Sequence, residues 1–138
     1  MIRLAVLFLI LLPFAVPQRP VQRIRDVHKL YVGDFGNSDA AKTLRERVKA
    51  RLTESKRFDF ADVPERADAV LAGDVEWHLN ATFPHAKVAL RLMNANLDDV
   101  WKQEFEQQDM NAQALRENLA KESCKLILKA IEKDDKAR

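Results

Sequence analysis

The stretch AVLAGDVEWHLNATFPHAKVALRLMNANLDDVWKQEFE, residues 69–106, decides the fold. In Ala69 to Leu79 every second residue is apolar: Leu71, Val75, Trp77 and Leu79 share a face, with Gly73 in phase. Ala72, Asp74, Glu76 and His78 take the other face. In Ala86 to Met93, Val88, Leu90 and Leu92 lie opposite Lys87, Ala89 and Arg91. In Asp99 to Glu106, Trp101 and Phe105 lie opposite Lys102, Glu104 and Glu106. Side chains alternate across a strand, so period-two patterning predicts strands with one covered and one wet face. Asn94-Ala95-Asn96-Leu97-Asp98 is turn chemistry between two of them, and Asn80 to His85 a longer turn. Three strands in an antiparallel meander follow.

Upstream, Val27 to Gly33 alternates and ends on glycine, which predicts a first strand. The loop Asp34 to Asp39 precedes a helix over 39–55, with Ser38 or Asp39 as its cap. Ala41, Leu44, Val48 and Leu52 recur at helical spacing and form its apolar stripe. Arg57 to Ala61 is a short strand. Downstream, Ala112, Leu115, Leu119 and Leu126 start the stripe of a helix over 111–133, widened by Ala120, Cys124, Ile127, Leu128 and Ile131. The expected fold is α+β in the order β-α-β-β-β-β-α. It is a mixed sheet with two helices on one face and the other face solvent-exposed. The expected core is Leu30, Val32, Leu44, Val48, Leu52, Leu71, Val75, Trp77, Leu90, Leu92, Trp101, Phe105, Leu119, Ile127 and Ile131.

The N-terminus reads differently. Arg3 precedes an unbroken apolar run from Leu4 to Leu12, closed by Pro13. A basic start, a short apolar core and a break are the marks of a secretory signal, and the run is short for a membrane span. Pro13 and Pro17 flank the best small residue, Ala15, so an uncleaved inner-membrane anchor is the alternative. The expected organisation is a signal or anchor over 1–18, a linker over 19–26, one αβ domain over 27–133, and a polar tail over 134–138. Location is therefore expected to be periplasmic or secreted, with membrane contact only through residues 1–18.

The 138 residues are 47% hydrophobic and 32% charged, the balance of a single globular domain, and the net charge is +2. Such near-neutrality argues against a nucleic-acid partner. The lone Cys124 excludes an internal disulfide and, on an apolar stripe, reads as an inert core thiol. His28, His78 and His85 show no metal-ligand spacing, so neither a metal nor a cofactor is expected. Asp34-Phe35-Gly36 matches the kinase metal-binding tripeptide by coincidence, since the other kinase motifs are missing. Asn80-Ala81-Thr82 fits a glycosylation acceptor, relevant only to a eukaryotic secretory route. No nucleophile–base pair is apparent, and no catalytic residue is assigned. Phe35 and Asn37 in the first loop, and Phe83, Pro84 and His85 at the hairpin, are the candidate partner contacts, because aromatics in polar segments anchor interfaces. The alternative is a small exported enzyme using Asp74, Glu76 and His78 on the open face.

The segment Leu30 to Trp77 resembles a recurring bacterial envelope pattern: Gly33-Asp34-Phe35 closing a strand, an amphipathic helix, Arg57-Phe58-Asp59-Phe60, then Ala67-Asp68-Ala69-Val70-Leu71 before Gly73. Similar segments occur in the periplasmic αβ domain of the curli secretion channel lipoprotein, the activator lipoprotein of penicillin-binding proteins, and the N-terminal domain of the Tol translocation protein. The likeness spans about residues 27–131. It implies a periplasmic domain that binds or assembles with another envelope protein, with no catalytic residues to carry over. This chain lacks the lipid-bearing cysteine of the lipoprotein members. Oligomeric state is left open.

Overall fold

The structure, a computed structural model, describes residues 19–137; the expected signal or anchor over 1–18 lies outside them. Strands β1 (Lys29–Val32), β2 (Asp59–Phe60), β3 (Ala69–His78), β4 (His85–Asn94) and β5 (Asp99–Gln108) form one sheet in the order β2-β1-β3-β4-β5. β1 runs parallel to both β2 and β3, and β3, β4 and β5 are antiparallel. Helices α1 (Asp39–Glu54) and α2 (Ala112–Lys136) complete the α+β fold.

Local chemistry sets the boundaries. The Ser38 side chain accepts a hydrogen bond from the Ala41 N–H at 3.1 Å, and Asn111 accepts from Ala114 N–H at 2.8 Å, so both helices start on a capping side chain. Ala41, Leu44, Val48 and Leu52 of α1 are buried, as are Leu115, Leu119, Ala120, Cys124, Ile127 and Ile131 of α2. Both stripes face the sheet side that carries Leu30, Val32, Leu71, Val88, Leu90 and Leu92. Arg45 locks α1 to the end of β1: its Nε donates to the carbonyls of Val32 (3.0 Å) and Gly33 (3.1 Å), and its Nη2 to Val32 (2.7 Å).

Four expected core residues, Val75, Trp77, Trp101 and Phe105, are only partly buried, while Ile24, Val27, Phe35, Phe58, Val88 and Leu115 join the core. For Val75, Trp77 and Phe105 the reason is length: β3, β4 and β5 have ten residues each, and the end at the β3–β4 hairpin runs past the cover that the helices give. Trp101, in register with Leu92 at the other end, lies on the edge strand β5.

The termini correct the expected organisation. Residues 19–26 are not a free linker: Ile24 is 5% exposed within a short 3-10 turn over Ile24–Asp26, and Val21 packs against the core. Residues 134–136 of the expected tail are helix, because α2 continues to Lys136. There the Lys136 ammonium holds Glu132 at 2.9 Å one turn earlier. Asp134 is drawn to the N-terminal segment, with its Oδ1 3.3 Å from Arg23 Nε and its Oδ2 accepting from Arg25 N–H at 3.4 Å.

Candidate interaction surface

The hairpin joining β3 to β4 projects Phe83, which is 49% exposed. Its neck is tied together. The Asp109 N–H donates to the Pro84 carbonyl at 3.0 Å, and His85 Nδ1 lies 3.2 Å from the Phe83 carbonyl. His78 and His85 are paired across the strands, and their rings stack with centroids 4.6 Å apart at 18°. His78 Nε2 also lies 3.3 Å from Glu76 Oε1. Sequence reading began β4 at Ala86 and therefore did not set the two imidazoles opposite each other. The signal available was that both flank one turn.

Of the expected contacts, Asn37, Phe83 and His85 are exposed; Phe35 and Pro84 are buried. Phe35 is a correction: it is 1% exposed and lies across Gly73 of β3, so it belongs to the core. Pro84 is likewise covered, behind the hydrogen bond from Asp109. The contacts do not form one patch. Gly73, under the first loop, precedes His78 by five residues on β3, roughly 17 Å of extended chain.

The open face carries exposed Asp74, Glu76, Lys87, Arg91, Lys102 and Glu104. Here the guanidinium of Arg91 holds Asp99 Oδ1 at 2.9 Å, and Glu76 is in register with Lys87. The trio of the enzyme alternative is brought together only as Glu76 with His78; Asp74 faces Ala89 on β4. Among the described residues, no three or more His, Cys, Asp or Glu side chains are grouped to hold a metal ion. Cys124 is 8% exposed, and burial pushes its thiol above the usual range, with nearby Arg51 opposing and Glu54 adding.

On the helix side, a groove of about 590 Å³ lies between α2, β5 and the N-terminal segment. Ile24, Trp101, Leu126 and Ala130 line it, with Arg23 and Lys133 among its charged residues. Beside it runs β5, the last strand of the sheet. Lys102, Gln103 and Glu104 are exposed there, and Trp101 and Phe105 half-buried. Among the described residues, no helix is long and apolar enough to cross a membrane.

No protein-family model matches the chain, and no curated protein does. Solved structures do. The chain is similar to a leucine-to-methionine variant of the PelC dodecamer from Paraburkholderia phytofirmans, at 19% identity and a TM-score of 0.56, over 73% of this chain and 83% of that one. It is also similar to a second structure titled PelC dodecamer from the same organism, at 17% identity and a TM-score of 0.53, over 74% and 85%. At this identity the likeness is one of fold.

Proposed function

We propose that the protein is an exported, non-catalytic component of the cell envelope that works by binding and assembling with other macromolecules there. Residues 1–18 serve as its export signal or anchor. The observation that carries the reading is the hairpin end of the sheet. Phe83 stands 49% exposed on a neck tied by Pro84, Asp109 and the His78–His85 stack, and Val75, Trp77 and Phe105 behind it are only partly covered. An exposed aromatic above half-bare apolar residues is the composition of a recognition surface. The PelC chains that share the fold are dodecamers in their structures, which supports self-assembly as part of the role. The resemblance of Leu30 to Trp77 to periplasmic binding domains points the same way.

Capture from an envelope extract tests this. Phe83→Ser is expected to weaken capture and leave the melting temperature nearly unchanged. Undiminished capture by Phe83→Ser and Asn37→Ala alike would move the contact to another face. Turnover of any substrate, abolished by Glu76→Gln or His78→Ala, would overturn the reading.

A further inference from the structure

We infer that β5 is a self-recognition edge. Two copies pair antiparallel through it about a two-fold axis at Gln103, joining two five-stranded sheets into one. The inference rests on the assembly reading above and names its partner as a second copy of this chain.

Among the described residues, no strand pairs with the outer edge of β5. Sheets end either on strands too short or too charged to pair, or on strands that invite a neighbour. β2, at one end, has two residues; β5, at the other, has ten and no proline. Its orientation follows from one hydrogen bond. The Asp109 N–H meets the Pro84 carbonyl, so odd-numbered residues of β5 direct their backbone groups at β4. Lys102, Glu104, Glu106 and Gln108 therefore direct N–H and C=O outward. The regular run begins at Trp101, after the register shift that leaves Val100 without a β4 partner. One outward carbonyl, that of Glu104, accepts from its own neighbour, the Gln103 side-chain amide, at 3.2 Å.

The side chains select the register. Trp101-Lys102-Gln103-Glu104-Phe105 reads as aromatic, cation, amide, anion, aromatic. Folded against itself antiparallel about Gln103, it sets Lys102 opposite Glu104 twice and Trp101 opposite Phe105 twice, with the two Gln103 amides facing on the axis. Opposite charges and aromatic pairs directly across strands are the stabilising cross-strand pairs. Outward-facing residues meet outward-facing residues, so the backbone groups of Lys102 and Glu104 exchange hydrogen bonds with those of the second copy. Moving the axis by one residue sets Lys102 opposite itself in one direction and Glu104 opposite itself in the other. A surface that fits its own copy in one register is an isologous interface.

The charges are also unspent inside the chain. Lys102 lies opposite Arg91, whose guanidinium is taken by Asp99, and Glu104 lies opposite Ala89 with Asp74 beyond it. Among the described residues, neither Lys102 nor Glu104 makes an ion pair. Lys102 thus faces a like charge, Arg91, which the second copy's Glu104 offsets.

Sedimentation and light scattering of the full chain, wild type and variants, test the proposal. Wild type is expected to self-associate. Lys102→Glu and Glu104→Lys are each expected to weaken association by roughly tenfold or more, since like charges then face each other across the edge. Combining them restores opposite charges in this register, and association is expected to return. Gln103→Cys is expected to form a disulfide-linked dimer under mild oxidation, because facing residues of a non-hydrogen-bonded pair bring their Cβ atoms close. Lys102→Cys, which would face Glu104, is not. Wild type that stays monomeric at its solubility limit overturns the proposal. So does association that survives both single charge reversals, or a double reversal that stays dissociated. The wider reading fails on a different result, the absence of any envelope capture by wild type.

Discussion

The ring of Phe35 fills the space that a side chain at Gly73 would need. A Cβ built on Gly73 would fall within the ring, while Phe35 itself is 1% exposed. The loop after β1 is thereby pinned to the middle of β3, and Gly36, at φ 128°, supplies the turn that lets the ring lie down. Gly73→Ala is expected to destabilise by about 1–3 kcal/mol through overpacking, and Phe35→Ala by about 3–5 kcal/mol through the cavity it leaves. Together they should cost clearly less than their sum, because the new methyl enters the vacated space. Urea melts of the four proteins measure this. Additive costs would mean that the two residues do not share the space.

Burial should grade along β3 and β4. Leu92, 1% exposed between Leu71 and Trp101, is expected to lose about 2–5 kcal/mol on truncation to alanine. Trp77, partly exposed near the hairpin, should lose less than the about 3–5 kcal/mol of a buried aromatic despite its larger size. Denaturant midpoints compare them. A larger loss at Trp77 would place the centre of the core at the hairpin end.

That gradient marks how far the sequence is legible. Alternation at Leu71, Val75 and Trp77 assigns a face correctly, because side-chain direction is a local property of a strand. It carries no information on how far two helices reach along that face, and Trp77 and Phe105 are half-bare for that reason. Phe35 reads from the sequence either as a contact aromatic or as a residue packed under its loop, since nothing local to residues 34–39 reveals a missing side chain at Gly73. Ile24 and Asp134 fall in the expected linker and tail for the same cause. Their contacts join residues more than a hundred positions apart, and no periodicity records them. At the candidate surface, exposed Phe83 was readable from its turn. The symmetry of Trp101 to Phe105 was written in the sequence but gains meaning only once β5 is known to be the edge.

Cys124 should behave as a core thiol. Its pKa is raised by burial, so the thiolate is scarce at neutral pH and the sulfur is covered. Alkylation of the native protein is expected to be slow at pH 7 and to quicken as pH rises, with the rise displaced above that of the unfolded chain. Because the folded pKa is raised, this group's contribution to stability is present at neutral pH and is lost as pH climbs through the folded value. Rapid labelling of native protein at pH 7, followed by mass spectrometry, would contradict this placement.

Asn94 ties the N-terminal segment to the far hairpin, which bears on where the chain enters the domain. Asn94 is 4% exposed, and its side chain makes three hydrogen bonds: Nδ2 donates to the Val21 carbonyl at 2.8 Å, and Oδ1 accepts from Asn96 N–H at 2.9 Å and Asp98 N–H at 3.2 Å. The acceptor half shapes the turn in which Leu97 takes φ 63°, and the donor half holds Val21. Asn94→Ala leaves all three backbone groups without that partner and is expected to cost about 1–3 kcal/mol. Asn94→Asp separates the two roles, since a carboxylate still accepts from Asn96 and Asp98 but repels the Val21 carbonyl. Elastase should then cut after Val21 markedly faster than in wild type, while the turn keeps its amide protection in hydrogen exchange. Arg23 and Arg25 still reach Asp134 from the other side, so release should be confined to the residues before them. Equal cleavage rates in the two proteins would show that Asn94 serves the turn alone and that the N-terminal segment is held by Asp134.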